Sequence, residues 1–152
     1  MTTGRQHKKI IGIILTYNCA ETLADIYHRI PKSTLNDIIV VDDDSSDNTA
    51  DIAKRLGLKF FSHRHCGYGG NIKYALLKAM QLGAEFMIEI HGDGQYDPLV
   101  IPQAIKKIKN YDLIVGSRFV DIRQPLRDNM PFIRYVTNIV TSAIFRFVLG
   151  MP

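Results

Sequence analysis

The sequence predicts an α/β layer fold with a largely parallel central sheet. Three observations carry that expectation. Short, β-branched apolar runs alternate with segments of helical periodicity along the chain. The runs are continuous rather than alternating, which suits strands buried on both faces. The chemically suggestive residues fall directly after the runs, where right-handed crossovers gather the loops along one sheet edge.

The elements follow in order. Ile10–Leu15 (IIGIIL) reads as the first strand, ended by Thr16-Tyr17-Asn18. Asn18 with Glu21 makes a capping box for a helix that turns Leu23, Ile26, Tyr27 and Ile30 inward and stops at Pro31. Asp37–Val41 is the second strand. The acidic stretch Asp42–Asp47 follows it, then a helix with Ala50, Ala53 and Leu56 inward and Gly57 at its C-cap. Leu58–Phe61 is a short third strand. The polar, glycine-rich stretch His63–Gly70 reads as a loop leading into a helix over Asn71–Leu82, with Ile72, Leu76 and Ala79 buried. Phe86–Ile90 is the fourth strand. Asp97 then caps a helix with Pro98 at its first position and Val100, Ile101, Ala104, Ile105 and Ile108 on its inner face. Asp112–Gly116 reads as a fifth strand.

Composition narrows the classes. A chain of 152 residues with 46% hydrophobic and 22% charged content is one globular domain or a piece of one, not a disordered chain. Cys19 and Cys66 are too few for a disulfide scaffold and too far apart for a CxxC metal site; they read as reduced cytosolic thiols. Met1–Lys9 reads as a flexible basic N-terminus, and Ile10–Leu15 is too short for a signal-peptide core. Ile133–Leu149 is apolar, but Arg134, Asn138 and Arg146 interrupt it, which argues against a spanning helix. From Arg118 onward the chain carries five arginines and no lysine. That end suits a membrane surface or a phosphate, or simply a solvated face.

Four strand-end segments carry the chemistry. Asp42-Asp43-Asp44 places adjacent carboxylates where a ribose or a base N–H can be accepted. In His91-Gly92-Asp93-Gly94-Gln95-Tyr96-Asp97-Pro98, two glycines flank Asp93 and allow a sharp turn close to a ligand. Asp93 and Gln95 are hard oxygen donors suited to Mg²⁺ or Mn²⁺ shared with a diphosphate, and His91 is a further ligand or hydrogen-bond donor. Gly67-Tyr68-Gly69-Gly70 before a helix resembles a phosphate loop but lacks GxGxxG spacing and a Lys-Ser/Thr pair. Lys73, one turn further on, suits a phosphate or an ordinary surface. Gly116-Ser117-Arg118 places an arginine at the same edge, as a diphosphate clamp or a salt-bridge partner.

Taken in order, Tyr17-Asn18, Val41 to Thr49 (VDDDSSDNT), Gly67-Tyr68-Gly69-Gly70, Gly92 to Pro98 (GDGQYDP) and Gly116-Ser117-Arg118-Phe119 resemble glycosyltransferase family 2. Within it they are most similar to the dolichyl- or polyprenyl-phosphate mannose/glucose synthases. The resemblance runs from Lys9 nearly to the end. It implies a GT-A fold, a Rossmann-like three-layer α/β/α sandwich that is C-terminally incomplete here, and inverting transfer from a nucleotide-diphosphate sugar. It implies donor contacts from Thr16, Tyr17, Asn18, Asp42, Asp43, Gly69, Lys73, Gly92 and Asp93, with Tyr17 and Asp43 on the base. It implies a divalent cation, Mg²⁺ or Mn²⁺, on Asp93, Gln95 and His91, and a catalytic role for Asp93 and Arg118 at the leaving diphosphate.

Two positions depart from the family pattern. His91 stands where the first acid of the DxD pair is usual, and His65-Cys66 stands where an asparagine usually precedes Gly67-Tyr68. Family catalytic domains also run well past residue 152. The expected organisation is therefore a donor domain over 10–120 and, over 121–152, the start of an acceptor-side interfacial helical region, inactive on its own. The implied partners are the nucleotide sugar and a lipid-phosphate or glycan acceptor; nucleic acid is not among them. A peripheral contact at the cytoplasmic membrane face and self-association through the exposed apolar helix complete the expectation. The alternative from another class is a non-catalytic nucleotide-sugar-binding module. A nucleotidyltransferase or a methyltransferase is disfavoured because no glycine-rich turn follows the first strand.

Overall fold

A computed structural model describes residues 8–108, 110–116, 123–127 and 130–150. The chain divides into two compact units, Met1–Tyr111 and Asp112–Pro152.

The first unit is built on four parallel strands, β1 (Ile10–Thr16), β2 (Asp37–Asp42), β3 (Lys59–Ser62) and β4 (Phe86–His91), in the order β3-β2-β1-β4. β1 is central. Ile11, Ile13 and Ile14 are completely buried, and each such side chain contributes about 1.5–3 kcal/mol relative to exposure. The continuous apolar run arises because both faces of β1 are covered. On one face Ile14, Val40 and Ile90 pack with Leu23, Ile26 and Ala53 of the helices α1 (Leu23–Arg29) and α2 (Thr49–Arg55) and with Ile101 of α4 (Ile101–Lys107). On the other, Ile11, Ile13, Ile39 and Val41 meet Ala75 and Ala79 of the helix α3 (Gly67–Gln81). The result is the expected three-layer sandwich.

Several local expectations are corrected. Asp112–Gly116 forms no strand, so the sheet among the described residues has four strands rather than five. Asn18 and Glu21 make no capping box. α1 begins only at Leu23, with Thr22 before it, because Asn18 adopts φ +52° and its side chain reaches the loop after β2. α3 starts at Gly67, so the glycines read as a loop form its first turn. Ala79 is buried as expected and Ile72 packs half-buried against the core, but the fully buried residues also include Asn71 and Ala75, and Leu76 is exposed. β3 begins one residue later than expected, at Lys59. Asp97 does cap: its Oδ1 accepts from Leu99 N at 3.0 Å, though a 3-10 turn over Pro98–Val100 precedes α4.

In the second unit the short helix α5 (Gln124–Arg127) precedes α6 (Phe132–Leu149), and Met130 N donates to Pro125 O at 2.9 Å. α6 has 18 residues and a mean hydropathy of 1.3, so by length and composition it is apolar enough to cross a membrane. The three interruptions do not lower it below that level, because Ile, Val, Phe and Leu outnumber them. Arg134 and Arg146 lie near its two ends, where long side chains can reach toward water. None of its residues is buried.

Candidate functional site

The strand order itself locates a cleft. From β1 the chain moves outward through β2 to β3, then returns past β1 to add β4 on the other side. The carboxyl ends of β1 and β4 therefore flank a reversal point, where an open α/β sheet leaves a crevice. A cleft of about 290 Å³ lies there, with Thr16, Tyr17, Asp43, His91, Gly92 and Asp93 in its walls. A second cleft of about 270 Å³ sits at the amino end of β2, around Asp37 and Lys59, which form an ion pair. It gathers none of the strand-end chemistry.

The β1/β2 wall is buried and fully engaged. Thr16 Oγ1 donates to Asp42 Oδ1 at 2.7 Å, and Asp42 also accepts from the backbone N (2.8 Å) and hydroxyl of Ser45. Asp43 is buried too. Its Oδ1 accepts from Cys66 N at 2.8 Å, and its Oδ2 lies 2.9 Å from His65 Nδ1. Burial pushes the Asp43 carboxyl up, but hydrogen bonds from Cys66, the neighbouring His65 and the Gly67 N–H together hold it below the usual range. Asn71 seals this wall from α3: its Nδ2 donates to Thr16 O (3.4 Å), the last carbonyl of β1, and to Val41 O (3.3 Å), the next-to-last of β2. Around the rim, Asn18 Oδ1 accepts from Ser46 N at 2.9 Å, and Asp47 accepts from Ala20 N and Thr49 N. Asp47 is likewise lowered: burial raises it, and the Thr49 hydroxyl, Ala20 N–H and Thr49 N–H outweigh that. The Tyr17 ring is exposed and lies 4.8 Å from the His65 ring.

The β4 wall is different. Gly92 approaches β1 so closely that a Cβ there would lie 2.8 Å from Leu15 O and 2.8 Å from Thr16 Cγ2, so only glycine fits. Asp93 follows as an exposed carboxylate whose Oδ1 accepts from Gln95 N at 3.0 Å. His91 is half-buried, with Nε2 3.1 Å from Glu89 Oε1 and its ring centre 5.8 Å from that of Tyr68 and 4.8 Å from that of Tyr96. Tyr68 O–H donates to the same Glu89 oxygen at 2.7 Å. That hydrogen bond, then burial and the Glu89 charge, push the Tyr68 phenol up to about 12.

Six of the sequence-indicated residues thus meet in one cleft. Asp42 and Asn18 are not in its lining, and their side chains hold the loop after β2. Gly69 and Lys73 lie on the exposed first turns of α3, and Gln95 flanks Asp93 through its backbone. Arg118 lies outside the described residues. Sequence reasoning missed Asn71 and Glu89, and it singled out Tyr68 only as part of the glycine stretch. A polar residue in register with Ala75 and Ala79, and an acid inside the strand FMIEI, were the available signals.

A divalent cation fits part of the expected set. Asp93 presents an exposed hard oxygen at the cleft, as Mg²⁺ or Mn²⁺ requires, whereas His91 is engaged by Glu89.

Comparison with known proteins agrees with this geometry. The family model described as glycosyl transferase family 2 matches residues 13–147. The chain is 32% identical to a UDP-N-acetylglucosamine–dolichyl-phosphate N-acetylglucosaminyltransferase of Methanococcus voltae, over 94% of this chain and 64% of that protein. It is 34% identical to a dolichol-phosphate mannosyltransferase of Pyrococcus furiosus, over 83% of this chain and 37% of that protein. The chain spans about half the length of the curated relatives it matches. Among solved structures, glucosyl-3-phosphoglycerate synthase of Mycobacterium tuberculosis, solved with Mn²⁺ and UDP, is similar in fold (TM-score 0.57, 18% identity, 70% of this chain and 41% of that one).

Proposed function

The chain belongs to glycosyltransferase family 2 and has its GT-A fold, and from that premise we propose that the cleft holds a nucleotide-diphosphate sugar of the GDP-mannose or UDP-glucose type. We propose further that the whole protein transfers the hexose, with inversion, to a polyprenyl phosphate. The observation that supports this best is the pairing of a buried, ionised Asp43 with an exposed Asp93 across one cleft at the reversal point of the sheet.

Each wall has its own task. Tyr17 offers an exposed ring face for a base, and Asp43, held as a carboxylate, accepts a base N–H with the lone pairs that Cys66 and His65 leave free. Gly92 lets the diphosphate lie against the strand ends. Asp93, with Gln95 and His91 beside it, would hold a divalent cation, which when bound stabilises charge on the leaving diphosphate. Arg118 would add a second positive charge there. A lipid-phosphate oxygen is already anionic, so attack on the anomeric carbon needs no base to remove a proton. The relatives named for dolichyl-phosphate acceptors support that class of acceptor. The apolar α6, with its two arginines, supports a site of action at the cytoplasmic face of a membrane.

One observation favours a second reading, a nucleotide-sugar-binding module without catalysis: His91 replaces an acid and is already paired with Glu89. Calorimetric titration of GDP and UDP, each with Mn²⁺, Mg²⁺ or EDTA, separates the cases. The transferase reading expects metal-dependent binding of one nucleotide, lost in Asp93→Ala. Binding that ignores both metal and Asp93 supports the module, and no binding of either nucleotide overturns both.

A further inference from the structure

We propose that Asp43, His63 and Cys66 form a binding site for a borderline-soft divalent cation of the Zn²⁺ class, separate from the hard-cation position at Asp93. The three residues come from the end of β2 and from the stretch before α3, and their donor atoms form a triangle. Cys66 Sγ lies 3.4 Å from His63 Nδ1 and 3.5 Å from Asp43 Oδ1, and His63 Nδ1 lies 3.7 Å from Asp43 Oδ1. Zinc bonds of about 2.3 Å to sulfur and about 2.0–2.2 Å to nitrogen and oxygen, set tetrahedrally, require edges of about 3.4–3.6 Å. The observed edges match to within a few tenths of an ångström. Among the described residues this is the group of three or more such ligands that the fold draws together.

The surrounding hydrogen bonds prepare the imidazole. Asn71 spends its N–H groups on Thr16 O and Val41 O, so its Oδ1, 3.1 Å from His63 Nε2, can only accept. Nε2 therefore donates to it, which leaves Nδ1 as the ring atom that faces Cys66 and Asp43. There it meets the Arg64 carbonyl oxygen at 2.8 Å as well as the Asp43 carboxylate. The Cys66 thiol donates to Asp43 Oδ1, so a cation would take the place of that proton among the three atoms, and a thiol, an imidazole and a carboxylate are a zinc donor set. The sulfur is also held in place. A Cβ on Gly70 would lie 2.2 Å from it, so the first turn of α3 packs directly against Cys66. On binding, a sulfur–metal bond forms, the S–H bond breaks and the proton leaves to solvent. The fourth coordination position is left to solvent or to the Arg64 carbonyl.

Cobalt(II) titration of the reduced 152-residue chain near neutral pH tests this. We expect one equivalent to give a thiolate-to-cobalt charge-transfer band with tetrahedral visible bands, and equimolar Zn²⁺ to displace it. The bands should vanish in Cys66→Ser, persist in Cys19→Ser, and require at least tenfold more cobalt in His63→Gln. Far-UV circular dichroism confirms that each variant is folded. On the unaltered chain, Zn²⁺ should slow alkylation of Cys66 at least tenfold, and Mg²⁺ should not. Absence of the charge-transfer band, its survival in Cys66→Ser, or unslowed alkylation with Zn²⁺ would each overturn the site. No readout uses a nucleotide, so the result is independent of the transferase reading.

Discussion

The two walls of the cleft are built on opposite terms. At the ends of β1 and β2, Thr16, Asp42, Asp43 and Asn71 are buried, and every one of their polar side chains is hydrogen-bonded. At the end of β4, Asp93 is exposed and His91 is half-buried in an aromatic surround. The first wall has its geometry before any ligand arrives, which suits recognition of a rigid base. The second keeps a carboxylate in water, which suits a partner that brings its own charge and coordination.

The sharpest way to break this contrast is to remove one carboxylate from each wall. Asp42→Ala leaves Thr16 Oγ1, Ser45 N and the Ser45 hydroxyl without their acceptor, and should cost about 3 kcal/mol of stability in urea unfolding. Asp93→Ala should stay within about 0.5 kcal/mol of the parent by the same assay. It should nevertheless lose about tenfold or more in Mn²⁺-dependent nucleotide affinity. Equal destabilisation by the two changes would erase the distinction. Next in size is Gly92→Ala, where the walls touch. Its Cβ would press on a backbone carbonyl, so the expected loss is about 1–3 kcal/mol, read as a lowered urea midpoint. A neutral result would mean that the close approach relaxes.

Acid titration separates the walls more finely. Asp43 and Asp47 titrate below their unfolded value in the folded chain. Their stabilisation is complete above that unfolded value, near pH 4, and is lost as pH falls through their folded pKa values. Asp43→Asn should flatten the acid limb of a stability–pH profile, and an unchanged limb would remove Asp43 as a source of it. The smallest effect is alkaline. Tyr68 is raised to about 12, so its share of stability is complete below the ordinary tyrosine value near 10 and is lost as pH climbs through 12. One of the seven tyrosines should therefore ionise late in ultraviolet titration, and Glu89→Gln should bring it back. No change in the Glu89→Gln curve would remove Glu89 as the cause.

The same contrast explains what could be read from the sequence. The layers, the parallel strands and the placement of Tyr17, Asp43, Gly92 and Asp93 at one edge follow from periodicity and from motifs next to strands. Asn71 was not legible, because a buried amide serving two strand-end carbonyls looks like any helical asparagine until the strands are side by side. Asn18 was misread for a related reason. Its spacing to Glu21 satisfies a local rule, but a contact 28 residues away, with Ser46, decides its conformation. Asp112–Gly116 has strand composition and forms no strand, which shows that composition does not by itself recruit a pairing partner.

The Asn71 amide also has a consequence in time. It joins residues 55 and 30 positions apart in the chain, so the ends of β1 and β2 are closed only once α3 has docked. Closures over such separations belong to the late part of a folding reaction. A nucleotide that recognises the finished wall would then act after the rate-limiting barrier of folding has been crossed. It should slow unfolding and leave the refolding limb of a chevron unmoved, and equal shifts in both limbs would show that the wall is already formed in the transition state.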